Sequence, residues 1–451
     1  MKRVLLYAVL AIGATALSAQ AQDNTELLAR MKAMEDRIQS LETEVRTLRA
    51  AQTPPPGAAP APVPEARAPA APLPAEQVPV EAPAPALGGA GGAASKVLNP
   101  DIAVIGDFIG AAGRSAGNGT PSLEMHESEV AFQAILDPYA RADFFLSFSE
   151  KAVTLEEGFI TFAALPGGLQ LKVGKMRAAF GKVNTMHNHV LPWVDRPLLN
   201  TNLIGGEDGI DDAGLSLSRI IPAPKLIFLE ATAQVFRGDS VGVFHAWERN
   251  DLATVGHLRG YRDITESTNL DLGLSYARGH SNVGPGILNQ LYGADATLRW
   301  KPLRRAIYHS FIARSEYVRS RVSLPNRVTT PSGYYVSADY QFARRWFAGG
   351  RFDRADRLNS PIFGDFASFS SDTPFIVNPF NPIVPFTPAF YSQVRTYQDT
   401  GGSAILTYWP SEFSQVRAQL RRTVYGERNR VSNELLFQFV FSIGAHGAHP
   451  F

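Results

Sequence analysis

From residue 99 onward the chain is made of short segments in which apolar and polar residues alternate. A period of two is the repeat of a β-strand, whose successive side chains point to opposite faces. Sixteen such segments can be read: 101–110, 124–137, 139–150, 153–164, 168–178, 211–220, 225–237, 253–263, 268–279, 290–301, 307–321, 332–343, 346–356, 400–410, 413–425 and 431–443. In one, Leu270, Leu272, Leu274 and Tyr276 alternate with Asn269, Asp271, Gly273 and Ser275. In another, Val416, Ala418 and Leu420 face away from Gln415, Arg417, Gln419 and Arg421. In the last, Leu435, Phe437, Phe439, Phe441 and Ile443 share one face. This is the pattern of a wall with lipid on one side and water on the other.

The connections alternate in length as well. Asp137-Pro138, Pro166-Gly167-Gly168, Pro222-Ala223-Pro224, Thr265–Ser267, Pro302–Arg305, Arg344-Arg345 and Pro410-Ser411 read as tight turns. The intervening loops are mostly longer, above all 179–210, 238–252 and 358–399. Short turns at one end and long loops at the other mark an outer-membrane barrel. A soluble sandwich would need a second sheet over each apolar face. Aromatics near segment ends, among them Tyr139, Phe148, Trp300, Tyr308, Trp346, Tyr408, Trp409 and Tyr425, suit the two interfacial girdles of such a barrel. The expected fold class is all-β, a transmembrane antiparallel β-barrel of about 16 strands, preceded by an α-helical coiled coil and a Pro/Ala linker.

Four regions are expected. Residues 1–21 read as a signal peptide: a basic start at Lys2-Arg3, an apolar run from Val4 to Leu17, and an Ala19-Gln20-Ala21 cleavage site. Residues 22–51 read as a coiled coil, with Leu27, Met31, Met34, Ile38, Leu41, Val45 and Leu48 at a and d positions. In a parallel pairing Arg30–Glu35, Arg37–Glu42 and Glu44–Arg49 bring opposite charges together. Residues 52–98 are a Pro/Ala/Gly-rich linker that cannot build a core and favours extended polyproline-like backbone. Residues 99–451 are the barrel, closing on Phe451, a terminal phenylalanine like the assembly signal of outer-membrane proteins.

Composition narrows the function. Forty-three basic residues meet 42 acidic ones, so the basic excess of a nucleic-acid binder is missing. With no cysteine, disulfides and thiolate metal sites are excluded. Alternation points Lys172, Arg299, Arg314, Arg351, Arg417 and Arg421 into the lumen. It also points in Asp107, Glu129, Asp143, Glu157, Glu230, Asp271, Asp295, Glu316, Asp339 and Asp353. The basic members lie almost wholly in the second half, so one wall is expected to be acidic and the other mixed with arginine. The segment from Met176 to Asp212 carries His187, His189, Asp195, Arg196, Asp211 and Asp212 and is the natural constriction loop. His187-x-His189 puts two imidazoles on one side of an extended chain, but two ligands do not define a site, so neither metal nor cofactor is assigned. No catalytic residue is assigned either. Neither a nucleophile elbow, a Walker loop nor an H-E-x-x-H helix is present, and although His309 and Ser315 could in principle serve as a Ser/His pair, their spacing alone assigns no chemistry.

Val173-Gly174-Lys175-Met176-Arg177-Ala178-Ala179-Phe180-Gly181, Trp193-Val194-Asp195-Arg196-Pro197 and Asp211-Asp212-Ala213-Gly214 resemble the phosphate-selective porin O and P family over about residues 100–451. The resemblance implies a trimer of 16-stranded barrels whose third loop folds inward. Arg37-Ile38-Gln39-Ser40-Leu41-Glu42 resembles a known coiled-coil trimer signature, although the seam chemistry alone favours a dimer. Asn99-Pro100-Asp101-Ile102-Ala103-Val104-Ile105-Gly106-Asp107-Phe108 resembles proteins labelled zinc-regulated TonB-dependent receptors. A transporter of that kind needs about 22 strands and a plug, which this length does not supply. The expected function is passive diffusion of small polar or charged solutes through a homotrimer in the bacterial outer membrane, with the coiled coil in the periplasm. A TonB-linked or zinc-related uptake receptor and a structural envelope tether are the alternatives. Expected partners are outer-membrane lipid, small solutes or ions and, through the N-terminal region, peptidoglycan; nucleic acid is not among them.

Overall fold

A computed structural model describes Thr43 and residues 100–116, 120–150, 152–224, 227–240, 242–360, 364–365 and 394–444. The signal peptide, the linker, the coiled-coil seam, most of the 361–393 connection and the C-terminal His446 to Phe451 lie outside the described residues. The chain divides into two compact units, Met1–Ala84 and Pro85–Phe451. In the first, Thr43 alone is described, and it is helical.

The second unit is one antiparallel sheet. Its strands are β1 (Asp101–Arg114), β2 (Glu124–Asp137), β3 (Ala140–Phe148), β4 (Val153–Leu165), β5 (Leu169–Arg177), β6 (Asp211–Ile221), β7 (Phe228–Phe236), β8 (Ala253–Thr265) and β9 (Thr268–His280). The second half supplies β10 (Leu288–Trp300), β11 (Ser310–Ser323), β12 (Val328–Thr329), β13 (Ser332–Ala343), β14 (Trp346–Ser360), β15 (Gly364–Asp365), β16 (Arg395–Ser411), β17 (Ser414–Tyr425) and β18 (Arg430–Gly444). Two of these, β12 and β15, are two-residue pairings in loops, so the wall has sixteen long strands. Each pairs with its neighbours in sequence, and β1 pairs with β18, Phe108 opposite Phe439, so the sheet closes into a barrel without an edge.

Alternation sets the two faces. Along β9, Asp271, Gly273, Ser275, Ala277 and Gly279 are buried while Leu272, Leu274, Tyr276 and Arg278 are exposed. Along β17, Gln415, Arg417 and Gln419 are buried and Val416, Ala418 and Leu420 exposed. Polar inside and apolar outside is the reverse of a soluble protein. The outer Leu274 is 61% exposed and Leu420 also 61%, surface that only lipid accommodates over a whole ring. Trp346 stacks on its cross-strand partner Tyr408 at 4.5 Å beside the Arg344-Arg345 turn, where an interfacial girdle is required. On β1, a side chain at Gly110 would collide with the Phe437 ring of β18, so glycine is what lets that ring lie across the closing seam.

Several strands outrun the segments read from sequence. β1 continues to Arg114, β14 to Ser360, and β16 begins at Arg395. Past Asp356, where the readable alternation stops, the ladder with β16 persists, Arg357 opposite Tyr397 and Leu358 opposite Thr396.

Candidate functional site

The segment between β5 and β6 does not stay at the rim. Gly181 turns it at φ +62°, its N–H donates to Ser275 Oγ at 2.9 Å, and a side chain there would meet Glu316 Oε2 at 2.7 Å. Two 3-10 turns follow, Val183–Thr185 and Asn188–Val190, and then a π-helical turn at Asn200–Ile204. Three staples fold the segment on itself. Asn184 bonds both ends, its Nδ2 donating to the carbonyls of Ala178 and Ile210 at 2.9 and 3.1 Å and its Oδ1 accepting from the Ile210 N–H at 2.8 Å. Arg177 donates to the carbonyls of Glu207 and Asp208 at 2.9 and 3.1 Å. Arg196 spans the first two turns, donating to Asn188 Oδ1 and to the carbonyls of Val183 and Met186.

Its outer contacts reach strands all round the ring, which only a segment inside the barrel can do. Toward β9 and β11, Lys182 Nζ pairs with Asp271 at 2.8 Å, and the N–H groups of Lys182 and Val183 donate to Glu316 Oε1 at 2.9 and 2.8 Å. Toward β14 and β17, Asp195 accepts from Arg351 at 3.0 Å, Arg421 at 2.8 Å and Gln419 at 2.5 Å. The Leu198 N–H donates to Asp353, Asn202 to Asp399 on β16, and Arg417 to the Trp193 carbonyl. Trp193 is fully buried, edge-on to Tyr335 of β13 at 5.1 Å, with the Arg351 guanidinium 4.9 Å over its ring. With Phe180, Leu199, Ile204 and Ile210, also fully buried, it makes the segment the centre of the apolar core. Burial opposes ionisation of Asp195, but the Arg351 and Arg421 guanidinium groups outweigh it and bring its pKa down to about 2.

The remaining sector, β2 and β4, is acidic. His187 is 2% exposed, its Nδ1 lying 2.6 Å from Glu129 Oε2 and 2.8 Å from Glu156 Oε2, and its Nε2 2.8 Å from Glu157 Oε1. Burial disfavours the imidazolium, yet the hydrogen bonds to Glu129, Glu156 and Glu157 raise its pKa well above the ordinary value. Asn188 Nδ2 donates to Glu127 Oε2 at 3.2 Å, and His189 Nδ1 stands 3.6 Å from Glu129 Oε2. Arg177 bonds Glu156 at 3.3 Å.

Glu156 was outside the sequence reading for a physical reason. Phe145 pairs with Glu157 and Leu146 with Leu155, so Glu156 is the extra residue of a β-bulge. A second bulge holds His126, since Asp107 pairs with Glu127 and Phe108 with Met125. Bulges re-aim one side chain and break strict alternation. His126 thereby lies 3.6 Å from Asp107 and 3.4 Å from Glu207. Glu127 was legible, two residues before Glu129 and in phase with it. Ser275 and Gln419 carried no signal of their own beyond their inward phase.

The other inward candidates are placed as follows. Asp107, Glu129, Asp143, Asp271, Asp295, Glu316, Arg351, Asp353 and Arg417 are buried on the interior face. Arg314 pairs with Asp339 at 2.5 Å and Arg421 with Glu434 at 2.6 Å. Lys172 sits over the Phe159 ring at 4.6 Å. Glu230 and Arg299 keep 30% and 31% of their side-chain surface accessible around the buried Asp271, and Arg259, which the alternation does not mark, keeps 36%. Asp211 and Asp212 belong to β6 rather than to the inward segment, because they pair with Arg177 and Met176 in the ladder. There Asp211 bonds Lys175 at 2.7 Å, and Asp212 accepts the N–H groups of Gly238 and Asp239, both at 2.8 Å, tying down the β7–β8 loop. Ser315 and His309 are not brought together: Ser315 Oγ donates to the Tyr335 carbonyl, while His309 stacks on Tyr340.

No family model matches the chain. A curated relative, an uncharacterized protein of Aquifex aeolicus, is 27% identical over 362 residues, covering 73% of this chain and 70% of its own. Among solved structures, Pseudomonas putida OprB superposes with a TM-score of 0.50 at 11% identity, over 78% of this chain and 96% of that one. The anion-selective porin of Comamonas acidovorans gives 0.49 at 7% identity, over 76% and 99% of the two chains. The outer-membrane channel DcaP of Acinetobacter baumannii gives 0.47 at 12% identity, over 76% and 96%. At such identities the likeness is one of fold, and the fold is that of the outer-membrane porin barrels.

Proposed function

We propose that this chain is an outer-membrane porin through which small polar or charged solutes diffuse passively, with the 178–210 segment as its constriction. One observation carries the reading. Beside that segment, Glu230, Arg259 and Arg299 face the interior and stay about a third accessible, which a plugged barrel would have covered. Glutamates crowd the β2 and β4 wall, whereas Arg299, Arg314, Arg351, Arg417 and Arg421 come from β10 to β17. Opposed walls of this kind orient a dipolar solute across the pore. The acidic wall argues against the cationic ladder of a phosphate-selective channel, so the resemblance to porins O and P is taken for architecture and not for solute.

In this reading the heptads at 22–51 hold a homotrimer together from the periplasm, and the linker at 52–98 sets their distance from the membrane. Peptidoglycan contact belongs to the same N-terminal region, and a catalytic role does not belong to the chain. Single-channel recording of the refolded protein in planar bilayers tests the proposal. Openings in steps of three are expected, with a reversal potential in a salt gradient set by the interior charges. A silent bilayer with folded protein refutes it.

A further inference from the structure

The acidic sector carries more carboxylate than its cations balance. Asp107, Glu127, Glu129, Glu156, Glu157 and Glu207 face Arg177, Arg196, His126 and His187. Glu127, Glu129 and Glu156 crowd one end of this sector, round His187 and His189. They sit in a pocket where Glu127 and Glu129 are 3% and 1% exposed. Buried charge of one sign is unfavourable unless a counter-charge sits with it. The carboxylate oxygen Glu127 Oε1 is buried with no hydrogen-bond partner.

Ligand-bearing atoms of Glu127, Glu129 and His189 all lie within 4.8 Å of one another. The neighbouring trio of Glu129, Glu156 and His187 is equally close, but its atoms already face one another at 2.6 and 2.8 Å, as hydrogen bonds do. His189 Nδ1 and Glu129 Oε2 are 3.6 Å apart, longer than a hydrogen bond. Two ligands held about 2.0–2.2 Å from one ion at a near-tetrahedral angle are themselves about 3.4 Å apart.

We propose that Glu127, Glu129 and His189 bind one divalent transition-metal ion in the lumen, at the contact between the constriction segment and β2. One imidazole and two carboxylates suit the borderline ions, such as zinc, cobalt or iron(II), over calcium and magnesium, which take all-oxygen shells. Three protein ligands leave a fourth position for water or a passing solute. His187, hydrogen-bonded to Glu129, orients that carboxylate from the second shell. The ion supplies the missing positive charge and clamps the segment to the wall. The sequence alone did not assign a metal, because the carboxylates come from β2, some 60 residues before the histidines.

The test is a cobalt(II) titration of the refolded full chain in detergent, read by its visible ligand-field absorption and reversed by zinc(II). It needs no conductance, so it stands or falls apart from the channel reading. Saturation at one equivalent per chain is expected, with affinity falling about 100-fold or more in Glu127→Gln and in His189→Ala. Heat-modifiable mobility confirms the folded barrel of each variant, and the isosteric Glu127→Gln keeps the test valid if His189→Ala does not fold. X-ray absorption of the zinc-loaded wild type should show imidazole in a mixed N/O shell. An absence of saturable binding, an all-oxygen shell, or full affinity in Glu127→Gln each overturns the proposal. So does a loss of binding in a His446→Ala/His449→Ala variant, which would move the site to the C-terminus.

Discussion

Removing the Asp195 carboxylate should release one side of the inward segment. Asp195 is the single acid of the inward segment between Arg351 and Arg421, bonded at 3.0 and 2.8 Å, with Gln419 as a third donor. Breaking a buried ion pair by removing one partner costs about 3–5 kcal/mol, because the other charge is left uncompensated. Here Arg351 keeps Asp353 at 2.8 Å and Arg421 keeps Glu434 at 2.6 Å, so the lower end applies. A loss of about 3 kcal/mol shifts the seated-to-released equilibrium of the segment by roughly 100-fold. Asp195→Asn keeps the shape and removes the charge, while Asp195→Ala removes both. In planar bilayers both variants should show larger and noisier unit conductance than wild type, with the alanine form further from it. Limited proteolysis should cut within 178–210 in the variants and spare the wild type. Wild-type conductance together with wild-type protease resistance, in folded Asp195→Asn and Asp195→Ala barrels, refutes the claim that this charge seats the segment.

Three further outcomes follow from the same contacts. Asp195 has its pKa lowered from 3.8 to about 2, so its contribution is complete above pH 3.8 and is lost as pH falls through 2; protease resistance of the segment should drop in that window, and the drop should be absent in Asp195→Asn. Trp193→Ala empties a fully buried site against Tyr335 and should cost about 3–5 kcal/mol, seen as a lower denaturant midpoint of the tryptophan-independent circular dichroism signal; an unchanged midpoint would show that Trp193 is not part of the folded core. Leu274→Arg places a charge on the lipid face of β9 and should destabilise the barrel by about 2–4 kcal/mol in urea unfolding from liposomes, whereas Ser275→Ala, one residue on and facing inward, should not show a bilayer-dependent cost.

The wall was legible where one face touches lipid and the other water. β9 and β17 show this best, since Leu272, Leu274, Val416 and Leu420 mark the outer face without a break. Legibility ended where that contrast ends. Beyond the lipid both faces of a strand are polar, which hid the last residues of β14 and the first of β16. Alternation also fails at a bulge, which is why His126 and Glu156 escape it although His126 points at Asp107 and Glu156 at Arg177. The histidines at 187 and 189 were visible as a pair, but their partners were not. Glu129 is 58 residues away along the chain, and only the inward fold of the segment brings it to His187. For the same reason Asp195 was visible as a loop acid while Arg421, 226 residues on, could not be named as its partner.

The neck of the inward segment shows how polar groups, rather than apolar area, decide its path. Asn184 is 1% exposed and satisfies three backbone groups at once, two carbonyls and one N–H. An apolar side chain of that size would fill the same space, so packing alone does not require asparagine. Hydrogen bonding does, and the two explanations separate by substitution. Asn184→Ala leaves the Ile210 N–H short of a partner, at about 1–3 kcal/mol for a buried group left unsatisfied. The two carbonyls suffer less, because that of Ile210 still accepts the Ala178 N–H and that of Ala178 the Phe180 N–H, both at 2.8 Å. Asn184→Asp keeps the acceptor for Ile210 but turns a second carboxylate oxygen, an acceptor only, toward two carbonyl oxygens that repel it. If hydrogen bonding governs the neck, the aspartate variant is the less stable of the two although it is closer in shape. Proteolysis near residues 178–184 and the denaturant midpoint should both rank wild type above alanine above aspartate. The reverse order for the two variants would mean that volume holds the neck and that its hydrogen bonds are incidental.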